Sequence, residues 1–325
     1  MKKFLIRSCV FGCIILLFFI GFESSLRRIP NPYLFKDNLM TREAKAVKTL
    51  VIGSSVADYG IFPACLGDSA YSLAISGEWI KYNEASLMRY IDNMHRLETV
   101  FWGICFQALW MDDDYLGCGI FSKEVEMGEY MKKAEQRIYR GFILGNYDPR
   151  YEVECIQSLP TSFEKWLKHY LRHQPTVRCD SLGFDYTDAL SERKSGWEKR
   201  WKQSVEMHSA QLQVPTARKV YQLNCQRLAR VAQICRERNI RLCIVVPPTH
   251  SLYYTHVGKE QLSLMYSALN ELCEKYDNVW LFDYFQDSRF DNDCFFDVNH
   301  LSDVGAKRFT PILWKDYWEA EKVQN

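Results

Sequence analysis

Short apolar runs alternate with amphipathic stretches along most of this chain. The apolar runs have the length of buried strands and lie at 48–53, 70–75, 99–106, 240–247 and 278–284. The stretches between them carry apolar residues at helical spacing, at about 79–95, 216–239, 258–276 and 302–319. This alternation predicts an α/β fold, with a three-layer, mostly parallel sheet and helices on both faces.

The first 23 residues are predicted to form a transmembrane signal anchor. A basic start precedes an apolar stretch from Phe4 to Phe22 that only Arg7 interrupts. At about 1.5 Å per residue this stretch is roughly 28 Å long, close to the thickness of the hydrocarbon core of a bilayer. A cleaved signal peptide is the alternative, but no small-x-small cleavage site follows the run. Residues 24–47 then form a linker, and 48–320 form the main domain.

The side of the membrane on which the main domain lies depends on the charges that flank the anchor. These are Lys2, Lys3 and Arg7 on one side and Arg27, Arg28 and Lys36 on the other, so the positive-inside count nearly cancels. A very short N-terminal tail before a large domain is typical of an exported domain. We therefore expect a single-pass protein of the inner (cytoplasmic) membrane whose large domain faces the periplasm or the exterior. A domain that faces the cytoplasm is the alternative.

The middle of the chain, about 112–215, breaks the strand and helix alternation with polar sequence rich in Trp and Tyr. It is predicted to be a helical insertion that forms a cap or a substrate-facing subdomain. Extra helices that only pack on the sheet are the alternative.

Charge and cysteine spacing narrow the range of ligands. The chain has 41 Lys plus Arg against 40 Asp plus Glu, so we expect no nucleic acid partner. The 12 cysteines show no C-x-x-C pair and no zinc-ligand spacing, and there is no glycine fingerprint for a nucleotide. No metal and no organic cofactor are predicted.

Two polar segments carry the candidate chemistry. Ser54 and Ser55 follow the first strand of the domain, where ligands and catalytic groups collect in open parallel sheets. Asp297 and His300 lie three residues apart just before the last predicted helix. A serine nucleophile needs a histidine base, and that base needs a carboxylate to fix its tautomer. Taken singly, each segment is also compatible with a helix cap.

The two segments together resemble the SGNH or GDSL-like hydrolase superfamily, in which a serine follows the first strand and a D-x-x-H loop precedes the last helix. The segments "LVIGSSVADYGIFP" and "FFDVNHLSD" carry the likeness. It is greatest to the membrane-anchored branch that includes the D-alanine transfer protein of teichoic acids and the alginate O-acetylation proteins. The resemblance implies an SGNH/flavodoxin-like fold, with Ser55 as nucleophile, His300 as base and Asp297 as its orienting carboxylate.

The same resemblance implies an oxyanion hole. Its donors are expected to be the backbone N–H of Ser55, the backbone N–H of Gly77 in "AISGEW", and a side-chain amide from the loop after the third strand. In that loop Cys105 stands where the family has an asparagine, and Gln107 is the nearest amide.

The expected substrate pocket includes Ser54 and the loop "VVPPTHSLYYTH", which follows a strand at the same end of the sheet. His250, Tyr253 and Tyr254 of that loop are predicted to line the pocket, because aromatic rings stack on sugar faces. The alternative is a proline-stiffened surface loop.

The resemblance implies an anchored, extracytoplasmic serine esterase or O-acyltransferase that acts on acyl esters of a cell-envelope or exported polysaccharide. Its partners would be the membrane, the polysaccharide and a multi-pass membrane acyltransferase. Cys105 favours a second hypothesis, a non-catalytic member that binds glycan or assembles an envelope acylation complex.

Overall fold

The computed structural model of the protein describes residues 1–112, 159–186, 197–210 and 212–324. The chain divides into two compact units. The first comprises Met1–Leu34 and Gly128–Val177, and the second comprises Phe35–Met127 and Arg178–Asn325. Much of the predicted insertion at 112–215 lies outside the described residues.

The first unit contains the N-terminal apolar helix α1, Lys2–Arg27. Its 26 residues correspond to roughly 39 Å, so the helix is long and apolar enough to cross a membrane. Within this unit the end of α1 packs on helix α5, Leu159–Trp166, where the Trp166 indole donates to Ser25 Oγ at 2.9 Å. The Phe22 and Trp166 rings lie 6.2 Å apart, and aromatic side chains of this kind are common where a spanning helix leaves the hydrocarbon core.

In the second unit, five described strands form one parallel sheet in the order β2-β1-β3-β4-β5. The strands are β1 (Thr49–Gly53), β2 (Ala70–Ser72), β3 (Thr99–Gly103), β4 (Arg241–Val246) and β5 (Val279–Asp283). Each coincides with one of the five apolar runs in the sequence, so the prediction of an α/β fold with a parallel sheet is confirmed.

The helices of the second unit lie before the first strand, between the strands and after the last one. The longer ones are α2 (Pro32–Glu43, which starts in the first unit), α4 (Ile80–Tyr90), α6 (Trp197–His208), α7 (Pro215–Glu237), α9 (Lys259–Lys275) and α10 (Asp303–Gln324). Two helices have a single turn, α3 (Ser55–Asp58) and α8 (Ser251–Tyr254). Short 3₁₀ turns occupy Ala44–Ala46, Pro63–Cys65, Ile91–Asn93, Ala108–Trp110 and Asn292–Cys294, and a π-helical turn in the first unit occupies Leu167–Leu171.

Helices cover both faces of the sheet because successive side chains of a strand point to opposite sides. Ile52 and Trp102 lie in a buried cluster on one face, and Val51 and Phe101 lie in a buried cluster on the other. The helix residues of the first cluster include Leu87, Val231 and Leu269, and those of the second include Phe309 and Leu313. Fully burying a side chain such as Phe101 contributes about 1.5–3 kcal/mol.

The strand order fixes where a ligand site forms. In an open parallel sheet of order 2-1-3-4-5 the direction of chain progression reverses between β1 and β3, and a crevice opens beyond their carboxyl ends. Ser54 follows β1 at this point, and Ile104 follows β3.

Candidate active site

Ser55, His300 and Asp297 form a connected hydrogen-bonded triad. Ser55 Oγ lies 2.7 Å from His300 Nε2, although the two residues are 245 positions apart. His300 Nδ1 lies 2.9 and 3.0 Å from the two carboxylate oxygens of Asp297. With Nδ1–H donating to Asp297, Nε2 is left without a proton and accepts from the Ser55 hydroxyl. This is the arrangement that a histidine base needs in order to activate a serine.

The loop before α10 holds Asp297 and His300 in place. Asp297 Oδ1 accepts from the backbone N–H groups of Asn299 and His300 at 3.0 and 2.9 Å, so the carboxylate closes its own turn. The His300 charge and these hydrogen bonds outweigh burial, which alone would raise the pKa of Asp297, and they lower that pKa to about 2. Ser302 Oγ caps α10 by accepting from Gly305 N–H at 3.1 Å. The carboxylate therefore stays ionised at neutral pH.

Glycines at the ends of β1 and β3 let Ser55 reach this position. Gly53 has φ +142°, and a Cβ there would lie 2.7 Å from Ala57 Cβ and from the carbonyl oxygen of Gly103. A Cβ at Gly103 would lie 2.6 Å from Ala57 Cβ. Helix α3 begins at Ser55 and rests directly on the two strand ends. Only glycine at both positions permits this close approach.

Hydrogen bonds hold the turn that contains Gly77 against the end of β1 and helix α3. Ile75 N–H donates to Gly53 O at 3.1 Å, and Ser76 N–H donates to Asp58 Oδ2 at 3.0 Å. Gly77 has φ +81°, and its N–H has no hydrogen-bond partner among the described residues. The N–H of Ser55, in the first turn of α3, is likewise unpaired within the described part of the chain. Within the described residues, both backbone N–H groups are therefore free to donate to a ligand.

A buried polar network lies under this turn. Lys36 and Asp58 form an ion pair at 2.8 Å with both side chains 1% exposed, and Lys36 also donates to the Ala74 carbonyl. Next to it the Asn83 amide donates to Glu78 at 2.7 Å, and burial raises the pKa of Glu78 well above its usual range. These groups fix the backbone between Ala74 and Glu78.

Cys105 lies close to Ser54, the neighbour of Ser55 in the chain. Ser54 Oγ is 3.8 Å from Cys105 Sγ, whereas Ser55 faces His300. Burial raises the pKa of the Cys105 thiol to about 11, so this group is protonated at neutral pH. A protonated thiol is a weak nucleophile and a weak hydrogen-bond donor.

A small, mainly apolar cavity is lined by residues that neighbour Ser55 and His300 in the chain, although the three triad residues do not line it. Val56, Cys105, Gln107, Tyr253 and Asn299 are among its lining residues. Its free volume, about 10 Å³, corresponds to about one water molecule. The Gln107 amide is 7% exposed, and its Oε1 has no hydrogen-bond partner within the described residues.

Three residues of the "PPTHSLYY" loop were predicted to line a pocket, and in the structure they lie in different surroundings. Tyr253 lines the cavity and is 1% exposed. His250 instead caps α8, because its Nδ1 accepts from Leu252 N–H at 3.1 Å while its Nε2 lies 2.5 Å from Asn292 Oδ1. Tyr254 is partly buried against the hydrophobic core. Neither His250 nor Tyr254 contributes to the cavity lining.

Two residues near the triad were not singled out from the sequence. Asn299 is 5% exposed, and its Nδ2 lies 3.3 Å from His300 Nε2. His208, at the end of α6, lies 2.8 Å from the Tyr253 hydroxyl through its Nδ1. Burial, with the nearby charge of His300, lowers the pKa of His208 to about 4. The D-x-N-H spacing was the signal for Asn299, whereas no local signal marked His208.

Comparison with known proteins adds no family assignment. No protein-family model, no curated protein and no solved structure matches this chain. Among the described residues, no group of three or more His, Cys, Asp or Glu is placed to hold a metal ion. The chemistry of the site is therefore argued from the distances between Ser55, His300 and Asp297.

Proposed function

We propose that this chain is a membrane-anchored serine esterase or O-acyltransferase with Ser55, His300 and Asp297 as its catalytic triad. The observation that carries the proposal is the contact of 2.7 Å between Ser55 Oγ and His300 Nε2, continued by the contact of 2.9 Å between His300 Nδ1 and Asp297. A helix cap would explain either polar segment alone, but it would not require the two to meet.

The reaction follows from these contacts. Ser55 Oγ attacks the acyl carbonyl while His300 Nε2 takes the hydroxyl proton, and Asp297 stabilises the resulting imidazolium. The tetrahedral intermediate collapses, and the leaving alcohol takes the proton from His300. Water or a sugar hydroxyl then gives its proton to His300 and attacks the acyl-Ser55 ester. Collapse releases an acid or a new ester and returns the proton to Ser55.

The proposed substrate is an acyl ester of a cell-envelope or exported polysaccharide. The apolar helix α1 supports attachment to a membrane, and we place the second unit on the periplasmic or exterior side of the inner membrane. A multi-pass membrane acyltransferase is the proposed source of acyl groups if the reaction is transfer.

Fluorophosphonate labelling tests the proposal. The full-length protein in detergent micelles is treated with a fluorophosphonate, and its intact mass is measured. We expect one adduct that is lost in Ser55→Ala and in His300→Ala, because the reagent requires an activated serine. The adduct should persist in Ser54→Ala, since the Ser54 hydroxyl faces Cys105 and not His300. A folded wild-type protein without any adduct would contradict the proposal.

The second candidate function is non-catalytic glycan binding or the assembly of an acylation complex. The observation that favours it is Cys105, a protonated thiol at the place where a strong oxyanion donor is expected. Loss of one such donor costs about 10²–10³ in rate. Glycan binding that is unchanged in Ser55→Ala, with no adduct on the wild type, would support this candidate.

A further inference from the structure

The side-chain amide of Asn299 lies beside the proposed nucleophile. Asn299 Nδ2 and Ser55 Oγ are 3.3 and 2.7 Å from the same atom, His300 Nε2. The Asn299 side chain is nearly fully buried, while its backbone N–H is already used by Asp297. A buried amide donor is thus available where acyl transfer needs hydrogen bonds.

Asn299 also lines the small cavity beside α3. The loop after β3 brings Cys105 and the Gln107 amide to the same cavity. Cys105 provides only a protonated thiol, which is a weak donor. Among the described lining residues, Asn299 is the amide whose Nδ2 contacts His300 Nε2, at 3.3 Å. The loop before α10 therefore brings an amide donor both to the cavity and to the histidine of the proposed triad.

Proton transfer within the triad would change the hydrogen bond of Asn299. In the tautomer that places Nδ1–H toward Asp297, the single lone pair of His300 Nε2 accepts from Ser55, and Asn299 Nδ2 lies 3.3 Å from the same atom. When Ser55 attacks, Nε2 gains the serine proton and can no longer accept. The Asn299 N–H then needs a new acceptor at the step in which an oxyanion forms.

We propose that Asn299 supplies the side-chain N–H donor of the oxyanion hole, together with the backbone N–H groups of Ser55 and Gly77. This inference rests on the proposed serine esterase or acyltransferase function. The side-chain oxyanion donor would then come from the loop before α10, whereas the resemblance implies that it comes from the loop around Gln107.

The test uses full-length protein in detergent micelles and p-nitrophenyl acetate as the ester. Asn299→Ala should lower kcat by about 10²–10³ with little change in KM, because the donor acts on the transition state. Adding Cys105→Asn to Asn299→Ala should restore part of kcat, since it returns an amide to the same cavity. Asn278→Ala is the control, because this distant amide donates to the Ala232 and Ile240 carbonyls at 3.2 and 3.1 Å. It should lower Tm and leave kcat near the wild-type value.

The outcomes separate the inference from the function on which it rests. A drop in kcat for Asn299→Ala, with Tm retained and recovery in the double variant, supports the inference. A wild-type kcat in Asn299→Ala, or a drop that follows a loss of Tm without recovery, overturns the inference while Ser55-dependent hydrolysis still supports the function. A wild type with neither Ser55-dependent hydrolysis nor a fluorophosphonate adduct overturns both.

Discussion

Replacement of Lys36 by methionine should destabilise the second unit strongly, because it leaves a buried carboxylate without its cation. The Lys36–Asp58 pair is 2.8 Å long and both side chains are 1% exposed. Removing one partner of a buried ion pair typically costs about 3–5 kcal/mol. The Ala74 carbonyl also loses its donor, so we expect a value in the upper half of that range.

The stability lost in Lys36→Met should increase as pH rises. Burial raises the pKa of Asp58 to about 6 even though Lys36 opposes this shift. Without Lys36 the folded-state pKa rises further, while the unfolded value stays near 3.8. A raised folded-state pKa gives stability that is present at low pH and is lost as pH rises through that pKa, by up to about 1.4 kcal/mol per pH unit. The deficit of Lys36→Met should therefore grow between pH 6 and pH 8.

Urea unfolding of the full-length protein in detergent, followed by circular dichroism at several pH values, measures this deficit. Lys36→Met/Asp58→Asn should recover most of the loss, since no buried charge remains. Arg230→Met is the matched control, because it breaks an ion pair with Glu84 in which the arginine side chain is 54% exposed, and it should cost less than about 1 kcal/mol. A deficit below about 1 kcal/mol for Lys36→Met at pH 8, or no recovery in the double variant, would refute the reasoning.

Three further predictions follow from the close approach at the strand ends, the size of the cavity and the burial of one histidine. Gly103→Ala should lower Tm and abolish fluorophosphonate labelling, because its Cβ would lie 2.6 Å from Ala57 Cβ, whereas Gly258→Ala has space and should label as the wild type does. Wild-type labelling of Gly103→Ala would contradict this. Because the cavity has a free volume of only about 10 Å³, kcat/KM should be at least about tenfold higher for p-nitrophenyl acetate than for p-nitrophenyl butyrate. Equal values of kcat/KM would show that the acyl group binds outside this cavity. Because the pKa of His208 falls from 6.5 in the unfolded chain to about 4, the unfolded state binds more protons at His208 in that range, so this residue contributes a slope on which stability falls as pH drops from 6.5 to 4, opposite in sign to the slope from Asp58. His208→Gln should flatten this slope in urea titrations, and an unchanged slope would show that His208 is not the group responsible.

Strand positions could be predicted because the central strands β1, β3 and β4 are buried on both faces and therefore form apolar runs of their own. The run 99–106 was longer than β3, which ends at Gly103, because the buried apolar sequence continues through Ile104, whose N–H still donates to the Val245 carbonyl of β4 at 2.8 Å, and through Cys105. The meeting of Ser55 with His300 was also expected, because a serine nucleophile needs a histidine base and because the resemblance pairs these two segments.

Side-chain partners brought together by tertiary packing could not be predicted in the same way. Lys36 resembles a charge flanking the anchor in the sequence, yet it is buried against Asp58. The sequence does not show whether the ring of Tyr253 or that of Tyr254 turns inward, because the short helix α8 and the proline turn before it determine the direction of both side chains. His208 reaches Tyr253 only through the placement of α6 within the second unit.

The size of the cavity bears on the choice between catalysis and glycan binding. A space for about one water molecule holds at most a methyl-sized group and not a sugar ring, so a glycan would bind over the surface of the second unit. Surface binding requires neither an ionised Asp297 aligned on His300 nor a hydroxyl within 2.7 Å of the opposite ring nitrogen. Both features are what the proposed acyl transfer at Ser55 requires, and neither enlarges a binding surface. The geometry therefore favours the catalytic proposal, with the polysaccharide held outside and only its ester reaching the triad.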